Sequence, residues 1–342
     1  MRLLVRADAS SHMGTGHVMR CLALAQAWQA EGGAVDFLMA TSAPGLEARL
    51  QQEGFEVFYQ EAALGSQNDA ENTIALAQQL QVDRLVVDGY HFGAEYQQQL
   101  KSTGLPVLFI DDNAHAEYYC SDWVLNQNIY AHEEMYEHRE PNTKLLLGTR
   151  YALLRKEFWP WRGWQRKIAP LARKVLVTLG GADPENITLQ VIQALQQNLI
   201  PDLEVIVVVG GSNPHYEVLQ TVVQDSVVKI ELQRNVTNMP ELMAWADVAI
   251  SGGGSTCWEL AFMGLPSLII TLAENQVPTV KKLHSMGIFW HLGFHKNLDN
   301  ETIENHLARL LKSGTLQEHK VLSETKIVDG QGVSRVISLL KN

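Results

Sequence analysis

The residues most able to do chemistry lie close to the N-terminus, between positions 6 and 20. The apolar run at 3–5 predicts a short buried strand, and a loop containing Gly14 and Gly16 follows it. From His17 onward apolar residues recur at helical spacing. A helix that begins here presents free backbone N–H groups and a partial positive charge to an anion. His17 is therefore either a general base beside a bound anion or a capping histidine, and this stretch alone favours neither.

The composition indicates a globular protein with enough apolar residues for a large core. The chain has 342 residues, of which 46% are hydrophobic and 19% charged, a length typical of two domains or one large domain. No apolar run approaches the roughly 20 residues that span a bilayer, and no signal-peptide pattern is seen at the start. We therefore expect a cytoplasmic protein without stable membrane insertion.

Charge and cysteine usage narrow the possible partners. The net charge of −11 argues against a general affinity for nucleic acid. The three cysteines are far apart and form no CxxC pair, so we expect reduced thiols without a metal. The acidic chain has no long exposed apolar stripe, which favours a monomer.

Strands and helices alternate twice along the chain, which predicts two α/β halves with doubly wound parallel sheets. The segment between them, 155–174, is basic and rich in tryptophan, with Trp159, Trp161 and Trp164. Contact with RNA or a membrane is one interpretation, and a linker whose tryptophans pack between domains is the favoured one. We expect an N-terminal domain at 1–155, a linker at 156–173 and a C-terminal domain at 174–342, whose last helix packs back on the first domain.

The expected strands are short apolar runs. In the first half they cover 3–5, 34–39, 55–59, 84–88, 106–111 and 122–126, the last of these being the final clear strand of that half. In the second half they cover 174–179, 203–209, 227–231, 247–250 and 267–270.

Two glycine-rich loops of the second half follow predicted strands, one with Gly180 and Gly181 and the other with Gly253 and Gly254. In open parallel sheets, ligands bind beyond the carboxyl ends of the strands. Gly253 and Gly254 allow a phosphate to approach the backbone, and Ser255 can donate a hydrogen bond at the helix start. Glu259, one turn on, is suited to accept hydrogen bonds from ribose hydroxyls. A tight turn and a solvated helix residue are the respective alternatives.

Polar residues also follow several other predicted strands, and we expect them to face the cleft between the two domains. Glu274, Asn275 and Gln276 come after the strand at 267–270, where an ordinary helix cap is the alternative. Tyr90 follows the strand that ends at Asp88, and the pair at 111–112 follows the next strand. That acidic pair could bind a metal, but no third acidic ligand stands at motif spacing, so hydrogen bonding or capping is favoured.

These residues together resemble a known family, the UDP-2,4-diacetamido-2,4,6-trideoxy-β-L-altropyranose hydrolases of pseudaminic acid biosynthesis. These are relatives of the MurG-type glycosyltransferases, and their family includes spore-coat polysaccharide synthesis proteins. The resemblance runs from residue 1 to the motif Asp329-Gly-x-Gly. It rests on Arg6-Ala-Asp-Ala-Ser, Gly14-Thr-Gly-His-Val-Met-Arg-Cys-Leu22, Asp88-x-Tyr90, Ile110-Asp-Asp112, Leu179-Gly-Gly-Ala-Asp183, Ser251-Gly-Gly-Gly-Ser255 with Glu259, and Glu274-Asn-Gln276. The N-terminal motif is specific, whereas the glycine loops are shared by many GT-B proteins.

The resemblance implies a GT-B fold of two Rossmann-like domains facing a cleft, with UDP held mainly by the C-terminal domain. It implies inverting hydrolysis at the anomeric carbon without metal or other cofactor. His17 would be the general base, and Tyr90 and Asn275 would contact the sugar or orient water. Gly253, Gly254 and Ser255 would hold the pyrophosphate, and Glu259 the ribose. The remaining residues expected at the substrate are Gly14, Gly16, Asp111, Gly180, Gly181, Glu274 and Gln276.

Two other functions stay open. A UDP-sugar-dependent transferase of the same fold would use an acceptor hydroxyl in place of water. A nucleotide-sugar-binding protein without turnover would bind the UDP-sugar and leave it intact. The sugar's stereochemistry does not follow from the residues.

Overall fold

The computed structural model describes residues 1–10, 13–197, 200–311 and 326–341. The chain forms two compact units. The first consists of Met1–Lys156 together with Gly330–Asn342, and the second of Glu157–Asp329. Within the described ranges, the search for a helix both long and apolar enough to cross a membrane finds none.

The first unit is built on a sheet of seven parallel strands in the order β3-β2-β1-β4-β5-β6-β7. The strands are β1 (Arg2–Ala7), β2 (Ala34–Met39), β3 (Glu56–Tyr59), β4 (Arg84–Asp88), β5 (Val107–Ile110), β6 (Trp123–Asn126) and β7 (Lys144–Leu147). The connecting helices are α1 (Gly16–Ala30), α2 (Pro44–Gln52), α3 (Gln67–Leu80) and α4 (Ala94–Lys101). The order reverses between β1 and β4, so the loops after these two strands diverge and leave room for a ligand.

The second unit has a sheet of six parallel strands in the order β10-β9-β8-β11-β12-β13. The strands are β8 (Lys174–Thr178), β9 (Glu204–Val209), β10 (Lys229–Arg234), β11 (Val248–Gly252), β12 (Ser267–Thr271) and β13 (Trp290–Phe294). The helices are α5 (Ile187–Gln197), α6 (Tyr216–Gln224), α7 (Met239–Trp245), α8 (Thr256–Phe262), α9 (Val277–Ser285) and α10 (Asn300–Leu311). Here the order reverses between β8 and β11, which are followed by the two glycine loops.

The predicted fold class is confirmed, because both sheets are parallel and doubly wound. The prediction that the strand at 122–126 is the last of the first half is wrong, since β7 extends the sheet. Its segment Lys-Leu-Leu-Leu is short, lies at the sheet edge and shows no alternation, so periodicity does not reveal it. The strand β13 and the helix α6 were not predicted from the sequence either.

The basic tryptophan-rich segment begins with a 3-10 helix, Lys156–Trp161, and most of it belongs to the second unit. The guanidinium of Arg166 donates hydrogen bonds to the backbone carbonyls of Met243, Ala246 and Met263 and lies over the Trp164 ring. Burial lowers the pKa of Arg166 to about 10. This cation therefore supplies hydrogen-bond donors to the backbone carbonyl groups at the C-terminal ends of α7 and α8.

Helix α11 (Gly332–Lys341) packs in the first unit against α1. Almost all of α1 is buried, including Trp28, and Lys341 lies over the indole ring of that tryptophan. At Gly332, the first residue of α11, an added Cβ would stand 2.3 Å from the carbonyl oxygen of Ala152, which follows the 3-10 helix Thr149–Tyr151. Only glycine allows this contact.

We therefore predict that Gly332→Ala lowers the free energy of unfolding by about 1–3 kcal/mol, because the helix must shift away from a backbone atom that cannot move alone. Urea denaturation measures the change. Gly93→Ala is the matched control, since its φ is −87° and nothing lies within 4 Å of the added Cβ. We expect the control to differ from the wild type by no more than about 0.5 kcal/mol. Equal stability of the two variants would contradict the close-packing explanation.

Candidate functional site

A buried histidine–aspartate pair lies where the strand order of the first unit reverses. His17 is the second residue of α1, and Asp88 is the last residue of β4. The His17 Nδ1 and Asp88 Oδ1 atoms are 2.7 Å apart, and both residues are buried. An ionised carboxylate can only accept hydrogen bonds, so the proton of this hydrogen bond belongs to Nδ1 of His17. The lone pair of the neutral ring is then on Nε2, which suits a base oriented by a carboxylate.

Arg20 connects this pair to the end of β5. One turn after His17, its Nε and Nη2 atoms donate to the two oxygens of Asp88, each at 2.6 Å. Its Nη1 donates to Asp112 Oδ1 at 2.5 Å. Arg20 Nη2 also lies 3.2 Å from His17 Nδ1, but both atoms are donors, so this is a contact without a hydrogen bond.

The charge of Arg20 explains why the Asp88 carboxylate stays ionised in a buried place. Burial alone raises the pKa of this carboxyl, but the charge of Arg20 and the hydrogen bonds from Arg20 and His17 hold it well below its usual range. Burial lowers the pKa of the Arg20 guanidinium, whereas Asp112 and Asp88 raise it, with a net rise well above its usual value. The cluster is thus a set of fixed charges that orients His17.

Tyr90 is brought to the same place by the loop after β4. Its hydroxyl donates to Asp112 Oδ2 at 2.8 Å, and its ring meets the His17 ring edge-on with centroids 4.8 Å apart. Asn128, after β6, donates to Asp112 Oδ1 at 3.1 Å. The structure therefore brings together two of the predicted residues, His17 and Tyr90.

Gly14 and Gly16 shape the loop that leads into α1. Gly14 has a φ of +79°, which favours glycine, and its N–H donates to the carbonyl of Ser10 at 2.8 Å. Gly16 is exposed and starts α1, with open space around the position of a Cβ.

Asp111 lies inside the loop after β5 and is buried. Its carboxylate accepts hydrogen bonds from Tyr119 (2.5 Å), from His115 (3.1 Å) and from the N–H of Asp112 (2.6 Å). Asp112, rather than Asp111, contacts Arg20 and Tyr90. Across the described ranges, the search for three or more His, Cys, Asp or Glu side chains able to hold a metal ion finds no group.

In the second unit, Gln276 ties down the glycine loop after β11. Its Oε1 accepts hydrogen bonds from the N–H groups of Gly253 (3.2 Å) and Leu272 (2.8 Å). A Cβ on Gly253 would stand 2.4 Å from Val280 Cγ2, so packing of α9 already requires glycine there. Gly254 is exposed, and the nearest atom to its Cβ position is Gln276 Nε2 at 3.9 Å. Gly254 therefore has open space at its Cβ position, whereas Gly253 does not.

The other predicted residues of this unit also follow strand ends. Ser255 precedes α8, and Glu259 lies one turn further on that helix. Glu274 and Asn275 are exposed on the 3-10 helix Glu274–Gln276. Gly180, with a φ of +91°, is exposed after β8.

Gly181 belongs to the same loop after β8. An added Cβ on Gly210 would stand 2.3 Å from the carbonyl oxygen of Gly181, so the loops after β8 and β9 touch.

Two members of the cluster in the first unit, Arg20 and Asn128, were not assigned a role from the sequence, and Asp112 was expected there only as part of the acidic pair at 111–112. For Arg20 a signal was present, because it stands three positions after His17 and so shares its helix face. For Asn128 no local signal exists, since its contact with Asp112 depends on the pairing of β5 with β6.

Comparison with known proteins agrees with this architecture. Residues 174–329 match the model of the Glycosyltransferase family 28 C-terminal domain. The crystal structure of MurG from Acinetobacter baumannii superposes with a TM-score of 0.66 at 18% identity, covering 99% of this chain and 99% of that one. The chain therefore has the GT-B fold, and the family match lies within its second unit.

Two relatives match at the level of sequence. The spore coat polysaccharide biosynthesis protein SpsG of Bacillus subtilis (strain 168) is 26% identical, over 100% of this chain and 98% of that protein. The UDP-2,4-diacetamido-2,4,6-trideoxy-β-L-altropyranose hydrolase of Campylobacter jejuni is 27% identical, over 84% of this chain and 97% of that protein.

The two hydrogen bonds to Gln276 lead to a prediction. Gln276→Met keeps the shape of the side chain but leaves the N–H groups of Gly253 and Leu272 without their acceptor. We expect the free energy of unfolding to fall by about 1–3 kcal/mol. Amide hydrogen exchange at those two positions should speed up at least about tenfold. Gln165→Met, an exposed glutamine of the same unit, is the control. Unchanged protection at Gly253 and Leu272 would show that Gln276 does not hold the loop.

Proposed function

We propose that this protein is a nucleotide-sugar hydrolase that cleaves UDP-2,4-diacetamido-2,4,6-trideoxy-β-L-altropyranose to UDP and the free sugar. The observation that carries the proposal is the His17–Asp88 pair, in which a buried carboxylate accepts the hydrogen bond from Nδ1–H and leaves the lone pair of Nε2 as the base. A base aimed by a carboxylate is the group that an attacking water needs.

The choice of substrate class is supported by the comparisons. The match of 174–329 to a glycosyltransferase C-terminal domain supports a nucleotide sugar, and the name of the Campylobacter jejuni relative supplies the particular sugar. The residues of the N-terminal motif are those on which the resemblance to that hydrolase family is most specific.

The proposed step needs one water and no acceptor. The water oxygen attacks the anomeric carbon from the face opposite the phosphate, and its proton passes to His17 Nε2. The bond between the anomeric carbon and the phosphate oxygen breaks, and its electron pair leaves with UDP. UDP is a good leaving group, so activation of the water is the main requirement, and a positioned base typically contributes about 10²–10⁴-fold. Attack from the opposite face inverts the anomeric configuration.

The remaining residues receive roles by the same proposal. Tyr90 and Asn275 contact the sugar or orient the water. Gly254 and Ser255 face the pyrophosphate, whose growing negative charge is stabilised by oriented donors. Glu259 accepts hydrogen bonds from the ribose hydroxyls. The other glycines and polar residues, Gly14, Gly16, Gly180, Gly181, Gly253, Glu274 and Gln276, form or support the surrounding loops. Asp111 acts through its loop, because its oxygens are engaged there.

The direct test is NMR of the purified protein with this UDP-sugar, excess EDTA and no acceptor. Release of UDP and of free sugar with inverted anomeric configuration is the expected result. Saturable binding without turnover would overturn the proposal. It would favour either a transferase that needs an acceptor hydroxyl or a binding protein.

Two substitutions should separate chemistry from binding. His17→Asn removes the base, so turnover should fall by about 10²-fold or more while UDP affinity stays close to that of the wild type. Glu259→Ala should weaken UDP binding, with a smaller effect on the chemical step measured in single-turnover experiments. Calorimetric UDP titration and stopped-assay rates on both variants give the comparison. A His17→Asn variant with the wild-type rate would remove His17 from the mechanism.

A further inference from the structure

A second histidine, His115, lies beside the site and has a hydrogen-bond partner at each ring nitrogen. Its Nδ1 is 3.1 Å from Asp111 Oδ1, and its Nε2 is 3.2 Å from the backbone carbonyl oxygen of Phe92. The ring also meets the Tyr90 ring edge-on, with centroids 5.9 Å apart. The side chain is 16% exposed, so little water reaches it.

Both partners of this ring can only accept hydrogen bonds. A backbone carbonyl has no proton to donate. Burial raises the pKa of the Asp111 carboxyl, but hydrogen bonds from His115 and Tyr119 bring the net value below the usual range, so this carboxylate is ionised. A neutral imidazole has one N–H and would leave one of the two contacts without a proton. Both contacts are hydrogen bonds only when the ring is protonated on both nitrogens.

The two contacts join the two loops that carry the site. Asp111 belongs to the loop after β5, whose next residue is Asp112. Phe92 belongs to the segment between β4 and α4, two residues after Tyr90. The hydrogen bond from the Tyr90 hydroxyl to Asp112 Oδ2 joins the same two loops. His115 thus provides a second connection beside the one that places Tyr90.

We propose that His115 is a positioning residue of the site, and that its doubly protonated ring joins the two loops and so holds Tyr90 and Asp112 in their relative positions. The effect of this role on the rate of hydrolysis rests on the proposed function. The connection itself is a property of the folded protein. When His115 loses a proton, one of its two contacts is lost, and the connection that it makes between the loops is broken, while the hydrogen bond from Tyr90 to Asp112 stays.

The charged and titratable groups around His115 favour the cation. From its own loop it faces Asp111 and Asp112, and Tyr119 shares the Asp111 carboxylate. From the segment after β4 it faces the Tyr90 ring and the Phe92 carbonyl, and from β5 the Phe109 ring. Burial lowers the pKa of His115, but the hydrogen bond and charge of Asp111 outweigh it, so the pKa is raised. The Tyr119 hydroxyl stays neutral, because burial and Asp111 raise its pKa.

The direction of the pH dependence follows from this raised pKa. The folded state keeps the proton at a pH where the unfolded state has lost it, so the stabilisation is complete below the unfolded value of about 6.5. It is lost as the pH rises through the higher value of the folded state. Activity that depends on the connection should be lost over the same range.

The first measurement is an NMR titration of the His115 ring in the wild-type protein without substrate, with His115→Gln used for assignment. We expect two ring N–H groups at neutral pH and a titration midpoint above about 6.5. A midpoint for His115 at or below about 6.5 would overturn the proposal, and this outcome does not depend on whether the protein hydrolyses anything.

The second measurement compares hydrolysis by the wild type and His115→Gln from pH 6 to 9. Glutamine lacks the second donor in this arrangement, so kcat should fall on the order of tenfold at low pH. The ratio of the two rates should approach one as the pH rises through the folded-state value of His115. Titration of other groups affects both proteins and cancels in this ratio. His306→Gln, a control in the second unit, should match the wild type throughout.

Each outcome decides the question. A rate ratio that is constant across the pH range would mean that His115 has a structural role only, and an unchanged rate would remove it from the site. His115→Lys keeps a positive charge and several N–H donors over this pH range. It should therefore recover part of the rate that His115→Gln loses. Its rate should not show the fall at high pH that the loss of the His115 proton causes in the wild type. If the wild type hydrolyses no UDP-sugar, the proposed function fails, and the ring titration still tests the connection.

Discussion

The buried ion pairs of Arg20 are the interaction on which the first unit's site depends. One guanidinium joins the first turn of α1 to the carboxylates of Asp88 and Asp112, at the ends of two neighbouring strands. Removing one partner of such a pair typically costs about 3–5 kcal/mol, because a charge is left buried without compensation. The arrangement is therefore present only when α1, β4 and β5 are all in place, and His17 inherits its orientation from it.

Both units use the same feature of a doubly wound sheet. At the point where the strand order reverses, adjacent loops diverge and polar groups can gather without blocking a helix connection. In the first unit this place holds charged side chains, with the buried His17 and the half-buried Tyr90 beside them. In the second unit it holds glycine loops, and Gln276 supplies the acceptor that keeps one of them in shape. The proposed function therefore assigns the side-chain chemistry to the first unit and the binding by backbone groups to the second.

The predictions from the sequence agree with the observed fold where the local sequence signals are strong. Long buried strands such as β4 and β9 are apolar runs that periodicity detects within a residue or two. Short edge strands such as β7 carry too few residues for a pattern. Among site residues, His17 was found because it follows a glycine loop at a helix start, and Tyr90 because it follows a strand end. Asp112 was expected to form hydrogen bonds or to cap a helix, but its partners could not be named, since they come from three separate segments.

The sequence by itself determined the fold class, the glycine loops and the candidate base, because each depends on residues close together in the chain. It did not determine which acidic residue orients that base, since Asp88 lies 71 positions away from His17. It assigned no role to His115, whose double contact exists only after two loops are brought together by the pairing of β4 with β5. Hydrogen bonds between side chains on different strands depend on strand order and register, and these follow from the packing of the whole sheet.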